Sequence, residues 1–463
     1  MNKSKSSISR RNFLKTGVAA TAASVAGVLA VSGKTMAAAA DTAANAIELD
    51  YQNPAGGQWS KLRPKPNYGG ASVRYALHND QWLGTTQIVG EIKQTREIDS
   101  GFSLAIRGIL GEKARWGFLS QSKRYPLTAG ISLGIGVVSE DHVVSGEPAP
   151  EKLPIPDPEQ MSKHIKDTCY YLRADEVGIG KMPEYAYYSH KHSPPQGAFP
   201  AGHADPDTPL VEYPVEKSEY LPYVITFAVE QHLETYLAST GYDGISVTQS
   251  FRSYHATANI AIILAQYIRS LGYRARAQHF GNYQAAMPPA LIASGMGEMT
   301  RTGDCVAHPR IGFRSKVAAV TTDLPLVPDK PIDFGMLDFC RVCKKCADNC
   351  PAQSISFEKE PIVYNGYMRW DSDMAKCTAF RAGNDEGVNC GRCLKVCPWN
   401  SKEDSWFHEA GIWLGSKGEA ASTLLKSIDD MFGYGTEEIE RYKWWLEWPE
   451  LYKIYAPGST TPL

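Results

Sequence analysis

The sequence lacks several features that would assign it to common classes of protein. After the first 40 residues it contains no apolar run of the roughly 20 residues that a membrane-spanning helix needs. Those 40 residues carry six basic and no acidic side chains, so the rest of the chain has 42 basic against 50 acidic residues and a net charge of −8. This acidic balance disfavours a nucleic-acid partner. No strand-like run is followed by the spacing G-x-G-x-x-G, so a dinucleotide site of the Rossmann type is not supported.

Cysteine is scarce except in one stretch, where eight of the ten cysteines lie within 58 residues. They form two runs, Cys340-x2-Cys343-x2-Cys346-x3-Cys350-Pro351 and Cys377-x12-Cys390-x2-Cys393-x3-Cys397-Pro398. This pattern is typical of a ferredoxin with two 4Fe–4S clusters, in which the last cysteine of each run binds the other cluster. The predicted ligands are Cys340, Cys343, Cys346 and Cys397 for one cluster, and Cys377, Cys390, Cys393 and Cys350 for the other.

Two structural zinc sites are the alternative, because Cys-x2-Cys pairs also suit zinc. Zinc explains neither the third cysteine at the same spacing nor the proline after each fourth cysteine. The pattern therefore favours clusters.

The amino terminus has the pattern of an export signal. Residues Ser9-Arg10-Arg11-Asn12-Phe13-Leu14-Lys15 form a twin-arginine motif, and an apolar stretch at 17–31 and small residues up to Ala40 follow it. The apolar stretch is shorter than a membrane span, so a cleaved signal peptide is favoured over a retained anchor. Twin-arginine export carries folded proteins, which suits a chain whose clusters are inserted in the cytoplasm.

Other metal-binding side chains are weaker candidates. Cys169 and Cys305 are far apart in the sequence, and buried free thiols are favoured over a disulfide between them. His190, His192 and His203 lie in a segment, 185–214, that reads as a long loop. Their spacing matches no closed set of metal ligands, so solvated or channel-lining histidines are favoured.

Apolar periodicity predicts an α/β layer in the middle of the chain. Helices are predicted at 157–172, 254–271 and 288–294, the first of them with Asp157 as N-cap and Pro158 in its first turn. Strands are predicted at 176–179, 223–229, 273–277 and 316–321, and a further strand at 131–138. This alternation indicates helices packed on a sheet.

The segment 295–312 is the best candidate for holding a large cofactor. It combines glycines, which let a backbone approach a ligand closely, with exposed polar groups. A plain glycine-rich turn is the alternative. The candidate contact residues are Gly295, Gly297, Arg301, Gly303, His308 and Gly312.

The leader, the segments 295–312 and 324–335, and the paired cysteine runs together resemble the catalytic subunit of respiratory reductive dehalogenases. The likeness covers essentially the whole chain. It is closest to the ortho-chlorophenol reductive dehalogenases, through segments 156–162, 173–183 and 399–406.

The resemblance implies an α+β or α/β fold in which a nitroreductase-like α/β domain binds a corrinoid and a ferredoxin-like domain with two 4Fe–4S clusters is inserted or appended. The expected regions are a signal peptide at 1–40, an N-terminal wrapping region at 41–148, the corrinoid-binding domain at 149–330, the ferredoxin-like domain at 331–402 and a C-terminal covering segment at 403–463.

The resemblance also implies the state of the cofactor and the partners. The corrinoid would be a cobamide of the cobalamin or norpseudo-B12 type, bound base-off without a protein ligand to cobalt. The motif D-x-H-x-x-G that supplies a cobalt-binding histidine is indeed absent, since the nearest sequence, at 140–146, has another order. The expected partners are a small integral-membrane anchor subunit, a membrane quinol chain and a halogenated aromatic substrate, on the outer face of the cytoplasmic membrane. A homodimer is compatible with this.

The resemblance places the proton donor at Tyr254, at the start of the predicted helix 254–271. Lys316 aligns where the family has an arginine beside that tyrosine, a change that keeps the charge and loses the bidentate fork. Arg381 aligns where alkene-reducing members have an aromatic pocket wall. Because a buried phenolate needs a cation or a strong donor, Arg381, Lys316 or both are predicted to bind the oxygen of an ortho-chlorinated phenol.

Two other functions suit parts of the sequence. An epoxyqueuosine reductase shares the corrinoid and the clusters, but it is cytoplasmic and needs a tRNA surface, which the export signal and the acidic charge disfavour. A periplasmic electron carrier would leave most of the chain without a task.

Overall fold

An antiparallel sheet of four strands forms the centre of the fold, in the order Glu176–Lys181, Tyr223–Glu230, Ser315–Thr322 and Ala275–Gln278. The strand Tyr223–Glu230 has six consecutive buried residues, as expected for a strand covered on both faces. All four strands lie within two residues of the predicted bounds. The sequence pattern therefore located the sheet correctly.

The computed structural model describes residues 60–63, 68–193, 209–239, 241, 243–384, 389–400, 406–431 and 437–445. These residues all belong to the unit Pro54–Leu463. The predicted signal peptide and His203 lie outside them. No helix among them is long and apolar enough to span a membrane.

In chain order, the strands are β1 (Arg74–Tyr75), β2 (Leu77–Asn79), β3 (Trp82–Gly84), β4 (Thr86–Gln87), β5 (Glu176–Lys181), β6 (His190–His192), β7 (Glu212–Pro214), β8 (Tyr223–Glu230), β9 (Ala275–Gln278), β10 (Glu298–Met299), β11 (Val306–Ala307), β12 (Ser315–Thr322), β13 (Ile332–Asp333), β14 (Ile362–Tyr364) and β15 (Tyr367–Arg369). The α-helices are α1 (Gly101–Ile106), α2 (Glu112–Arg124), α3 (Pro126–Val138), α4 (Asp141–Val144), α5 (Pro158–Tyr171), α6 (Leu233–Ala238), α7 (Ile245–Ser270), α8 (Met287–Ala293), α9 (Met336–Cys343), α10 (Lys345–Asp348), α11 (Met374–Gly383), α12 (Arg392–Lys395), α13 (Trp406–Gly415) and α14 (Glu419–Met431).

Helices α5 and α7 cover one face of the sheet. Ile165 of α5 and Leu264 of α7 pack with Ile225, Phe227 and other side chains of the sheet in the largest apolar core. Helix α5 begins as predicted, because the Asp157 carboxylate accepts a hydrogen bond from the Gln160 N–H (3.0 Å) and Pro158 occupies the first turn. Helix α8 packs on the opposite face, in a second apolar cluster.

The predicted strand at 131–138 is wrong, because these residues form the second half of helix α3. Thr128, Ser132 and Ile135 of α3 are buried at helical spacing. Gly134 lies so close to the His255 ring of α7 that a Cβ atom there would collide with it. The small residues therefore serve close packing between two helices and not a pleated sheet.

Two other predictions are corrected by the structure. Helix α7 begins at Ile245, nine residues before its predicted start, so Tyr254 lies within the helix and not at its beginning. The polar residues of its first turns had concealed the apolar periodicity. The segment 185–214, predicted as a loop, contains the paired strands β6 and β7.

A buried ion pair fastens the segment 325–331 to helix α5. The Lys166 Nζ atom lies 2.6 Å from an Asp329 carboxylate oxygen, and both side chains are almost fully buried. The same carboxylate accepts a hydrogen bond from the Ile179 N–H of β5 (2.8 Å). The chain therefore enters the cysteine region from a fixed point.

Candidate active site and cysteine centres

Four cysteines from two distant segments line one cavity. Cys340 and Cys343 lie on α9, Cys346 on α10 and Cys397 after α12, and all four face the same space. We call them the first cysteine group. These are the residues that the crossed ligand pattern predicted for one cluster.

The other four cysteines form a second group. Cys377 is within electrostatic range of Cys350 and Cys390, and Cys393 is within range of Cys377 and Cys390. Cys393 is also within range of Cys346 of the first group. The two groups are therefore neighbours.

The chemistry of these thiols suits a metal cluster. Burial raises the pKa of Cys340 to about 12 and that of Cys390 to about 11, so the thiolates need a strong positive charge beside them to form. Among the described residues, no three His, Cys, Asp or Glu side chains are close enough to bind one metal ion together.

A small cavity beside helix α7 brings two of the predicted catalytic residues together. Tyr254 and Arg381 both line it. The other walls are mostly aromatic or apolar and comprise Phe102, Phe118, Val247, Ser250, Phe251, Phe280, Ala382 and Asn389. We call this space the Tyr254 cavity.

The third predicted residue lies against the same tyrosine. The Lys316 Nζ atom lies 4.8 Å from the centroid of the Tyr254 ring. That ring stacks on Phe280, with centroids 4.4 Å apart. Lys316 reaches this position because it lies near the beginning of β12, opposite Val229 near the end of β8. All three predicted catalytic residues are thus in one place.

Arg381 connects the Tyr254 cavity to the second cysteine group. It follows Cys377 by one turn of α11, and its guanidinium carbon lies 4.6 Å from the centroid of the Phe102 ring. Burial works to lower the pKa of Arg381, but Cys377 and Tyr254 outweigh it, so the pKa is raised above its ordinary value. The side chain is therefore a permanent cation between the cysteines and the tyrosine.

The two cations share one property. Within the described ranges, neither the Arg381 guanidinium nor the Lys316 ammonium group makes a hydrogen bond or an ion pair, although Asp304 acts on Arg381 electrostatically. Their donors are available to a ligand.

Sequence reasoning missed several walls of the cavity. Phe102 and Phe118 come from α1 and α2, in the region 41–148 for which the sequence indicated only a wrapping role. Tyr283, whose hydroxyl donates to the Val317 carbonyl (2.8 Å), lies within electrostatic range of Tyr254, and burial raises its pKa well above the ordinary value. No local pattern marks these residues, because only the tertiary fold brings them to the tyrosine.

The glycines of the segment 295–312 pack against the chain itself. A Cβ atom at Gly295, Gly297 or Gly303 would lie less than 3.0 Å from a carbonyl oxygen of Lys330, Ala307 or Trp370, respectively. A Cβ atom at Gly312 would collide with Asn400. Contacts within the protein therefore already require glycine at these positions, and their role toward a corrinoid stays a prediction.

Arg301 and His308 also have partners within the fold. The Arg301 guanidinium donates to the carbonyl oxygens of Cys340, Ser356 and Glu358. The His308 Nδ1 atom accepts a hydrogen bond from the Arg310 N–H, and its Nε2 atom lies 3.9 Å from Glu176. The structure thus gives no support to these two side chains as corrinoid contacts.

The remaining candidates are accounted for by the fold. Cys169 and Cys305 are both free thiols in different apolar clusters, as predicted. His192 is buried and bonded to the Ser103 hydroxyl (2.7 Å), and the His190 ring contacts Ser189.

Comparison with protein families supports the interpretation of the cysteine runs and of the amino terminus. Residues 339–401 match the 4Fe-4S dicluster domain, and residues 7–27 match the signal sequence of the twin-arginine translocation pathway. The predicted twin-arginine signal is confirmed.

Curated relatives and solved structures agree with each other. The chain is 32% identical over 310 residues to the tetrachloroethene reductive dehalogenase of Dehalobacter restrictus, covering 60% of this chain and 54% of the relative. It is 29% identical over 299 residues to the enzyme of the same name from Sulfurospirillum multivorans, covering 61% and 58%. A catabolic reductive dehalogenase, solved in complex with 3-bromo-4-hydroxybenzoic acid, superposes with a TM-score of 0.68 and 32% identity, covering 79% of this chain and 50% of that one.

The chain spans about half the length of these relatives. Over that span, the structural match confirms the predicted mixed α/β fold with a ferredoxin-like segment. In sequence, fold and dicluster segment, the chain is similar over that span to reductive dehalogenases.

Proposed function

We propose that this protein is a reductive dehalogenase that replaces an aromatic chlorine by hydrogen, using two electrons and one proton and releasing chloride. The observation that carries the proposal is the convergence of Tyr254, Lys316 and Arg381 beside the second cysteine group. A proton donor and two cations next to a source of electrons supply what this reaction needs.

The side chains have distinct tasks in this proposal. The Tyr254 hydroxyl, which has no hydrogen bond to the described residues, donates the proton to the ring carbon that loses chloride. The ammonium group of Lys316 stabilises the phenolate that this step leaves on Tyr254. The aromatic walls exclude water, which strengthens both effects.

The substrate class follows from charge. A phenolate transferred into an apolar cavity needs a cation, and Arg381 offers a guanidinium without an acceptor among the described residues. The solved relative in complex with 3-bromo-4-hydroxybenzoic acid holds a phenol whose halogen is ortho to the hydroxyl group. We therefore propose ortho-chlorinated phenols as substrates.

Chlorinated ethenes are the second candidate, because the curated relatives are tetrachloroethene reductive dehalogenases. Such a substrate carries no anion and would leave Arg381 without a partner.

The proposed cofactors are two 4Fe–4S clusters and one base-off corrinoid. The first cysteine group would hold one cluster, and Cys350, Cys377, Cys390 and Cys393 would hold the other. One solved relative bears the description of a B12-dependent dehalogenase, and a corrinoid bound here would supply reducing equivalents to the carbon–halogen bond. The side chains predicted as its contacts are used within the fold, so we assign it no contacts.

The proposed location is the outer face of the cytoplasmic membrane, reached by twin-arginine export. A small integral-membrane subunit would anchor the protein there, and a quinol chain would supply electrons. A homodimer is compatible with this arrangement.

The test is analysis of the purified protein followed by halide release. We expect about eight iron and eight acid-labile sulfide per chain, one corrinoid, and faster chloride release from 2-chlorophenol than from tetrachloroethene. Stoichiometric zinc, or activity in a preparation free of cobalt, would contradict the cofactors. A preference for tetrachloroethene would contradict the substrate class alone.

Export has its own test. Replacing Arg10 and Arg11 by lysine should leave the precursor in the cytoplasm, because the pathway recognises the arginine pair. Unchanged secretion would point to another route.

A further inference from the structure

Arg301 is a buried cation beside the first cysteine group. It lies between β10 and β11, and only 1% of its surface is exposed. Its guanidinium donates to the Cys340 carbonyl twice (2.9 and 2.5 Å), to the Ser356 carbonyl (2.8 Å) and to the Glu358 carbonyl (2.6 Å). It also lies 4.9 Å from the centroid of the Trp370 ring.

The charge of Arg301 has no carboxylate partner in the described part of the chain. Neutral carbonyl groups satisfy its hydrogen bonds but do not balance its charge, and an unbalanced buried charge is costly. An anion must therefore lie close to it in the working protein.

The first cysteine group lies directly beside Arg301 and can carry negative charge. Arg301 lines the same cavity as Cys340, Cys343, Cys346 and Cys397, so its positive charge acts on all four thiols. The Arg301 backbone N–H also points to the Cys340 sulfur (3.4 Å). Both interactions favour the thiolate form.

We infer that Arg301 is the counter-charge of the cluster proposed for Cys340, Cys343, Cys346 and Cys397, and that it raises the reduction potential of that cluster. This inference rests on the proposed function. A cluster with four thiolate ligands becomes more negative when it takes up an electron, so a fixed cation beside it stabilises the reduced form. An N–H group directed at a ligand sulfur acts in the same direction.

The second cluster provides an internal control. Arg301 lines the cavity of the first cysteine group, whereas the cation one turn after Cys377 of the second group is Arg381. A change at Arg301 should therefore alter one potential and leave the other where it was.

Redox titration followed by electron paramagnetic resonance tests the inference on the full chain loaded with its clusters. Arg301→Gln removes the charge, and we expect it to weaken reduction of the first cluster at least tenfold, which is about 59 mV to more negative potential for one electron. Arg301→Lys keeps the charge and loses the fork, and we expect a potential close to that of the wild type. Cys346→Ser identifies which signal belongs to the first cluster.

Every result decides the question. Unchanged potentials in Arg301→Gln, or equal shifts in the Gln and Lys variants, would overturn the inference, since charge would then not be the cause. If Arg301→Gln loses four iron while Arg301→Lys retains eight, the charge is required and the inference stands. Loss of the cluster from both variants would show that the carbonyl contacts matter and would overturn it. Absence of cluster signals from the wild type would instead refute the proposed function on which it rests.

Discussion

Arg301 and Arg381 lie beside different cysteine groups and differ in how their donors are used. Arg301 is almost fully buried and directs its guanidinium at three carbonyl groups. Arg381 is half-buried and contacts the Phe102 ring, with no acceptor among the described residues. A buried cation whose donors are all hydrogen-bonded to carbonyl groups stabilises the fold, whereas a cation whose donors have no acceptor is available to a ligand. Changes near Arg301 should therefore reduce stability, and changes in the Tyr254 cavity should reduce turnover.

The largest expected effect is on turnover at Tyr254. Tyr254→Phe should keep both clusters and the melting temperature but lower the rate of chloride release by about 10²- to 10⁴-fold, because it removes the proposed general acid. The measurement is the rate in the loaded variant. Full activity would remove Tyr254 from the mechanism, and a lowered melting temperature would show that the hydroxyl is structural.

The next largest effect is on the stability of the segment near Arg301. Gly297→Ala should cost about 3 kcal/mol, because the backbone has φ of +151° and the new Cβ atom would collide with the Ala307 carbonyl. Gly130→Ala is the matched control, since Gly130 lies exposed on α3 with nothing within 4 Å of its Cβ position. It should stabilise the helix by about 0.5–1 kcal/mol. Thermal unfolding of both variants checks this, and equal melting temperatures would contradict it.

Arg381→Leu should act on substrate preference. The loss of a hydrogen bond to a charged group costs about 1.5–3 kcal/mol, so turnover of 2-chlorophenol should fall roughly 10- to 100-fold. Turnover of a neutral substrate such as tetrachloroethene and the melting temperature should change little. Arg381→Lys keeps the charge, so its turnover of 2-chlorophenol should lie between that of the wild type and that of Arg381→Leu. Equal losses on both substrates would indicate that Arg381 serves the cysteines instead.

The smallest effect is a pH dependence of stability from Glu298. This carboxyl is buried at the beginning of α9, where it accepts hydrogen bonds from the Phe334 and Met336 N–H groups (2.6 and 3.2 Å). Burial, reinforced by Asp333, raises its pKa to about 8. Between its ordinary value and about 8, the folded protein binds a proton that the unfolded chain has lost, so stability falls as pH rises through this window.

The expected loss between pH 7 and 8 is about 1 kcal/mol, since one pKa unit corresponds to about 1.4 kcal/mol. Glu298→Gln should remove this slope while the hydrogen bonds to its side-chain oxygen remain. The same slope in both proteins, measured by chemical unfolding, would exclude Glu298 as its source.

Local signals predicted the sheet and the cysteine groups well. The strands read as continuous apolar runs, and α5 carried its own cap and proline. Cysteine spacing indicated which thiols come together, and the structure groups them in the same way. Tyr254, Lys316 and Arg381 came from family resemblance and not from any local pattern, yet the fold brings them together.

What could not be predicted depends on packing between distant segments. The small residues of α3 resembled a strand, and only their contact with α7 shows why they are small. Gly297 and Arg301 looked like cofactor contacts. A glycine is needed wherever something approaches the backbone closely, and an arginine wherever buried acceptors need a donor, whether the neighbour is a ligand or the protein itself. Phe102 reaches Arg381 from nearly 280 positions earlier in the sequence, a distance that no periodicity encodes.

The crossed pattern of the cysteines has a consequence for assembly. Cys397 joins the three cysteines of the first run, and Cys350 joins the three of the second. In the proposed assignment neither run can complete a cube alone. Each cube therefore also links the two cysteine runs to each other. A chain with only one cube should therefore still have its two runs joined, whereas a chain with neither cube should arrive at the export machinery with both runs open.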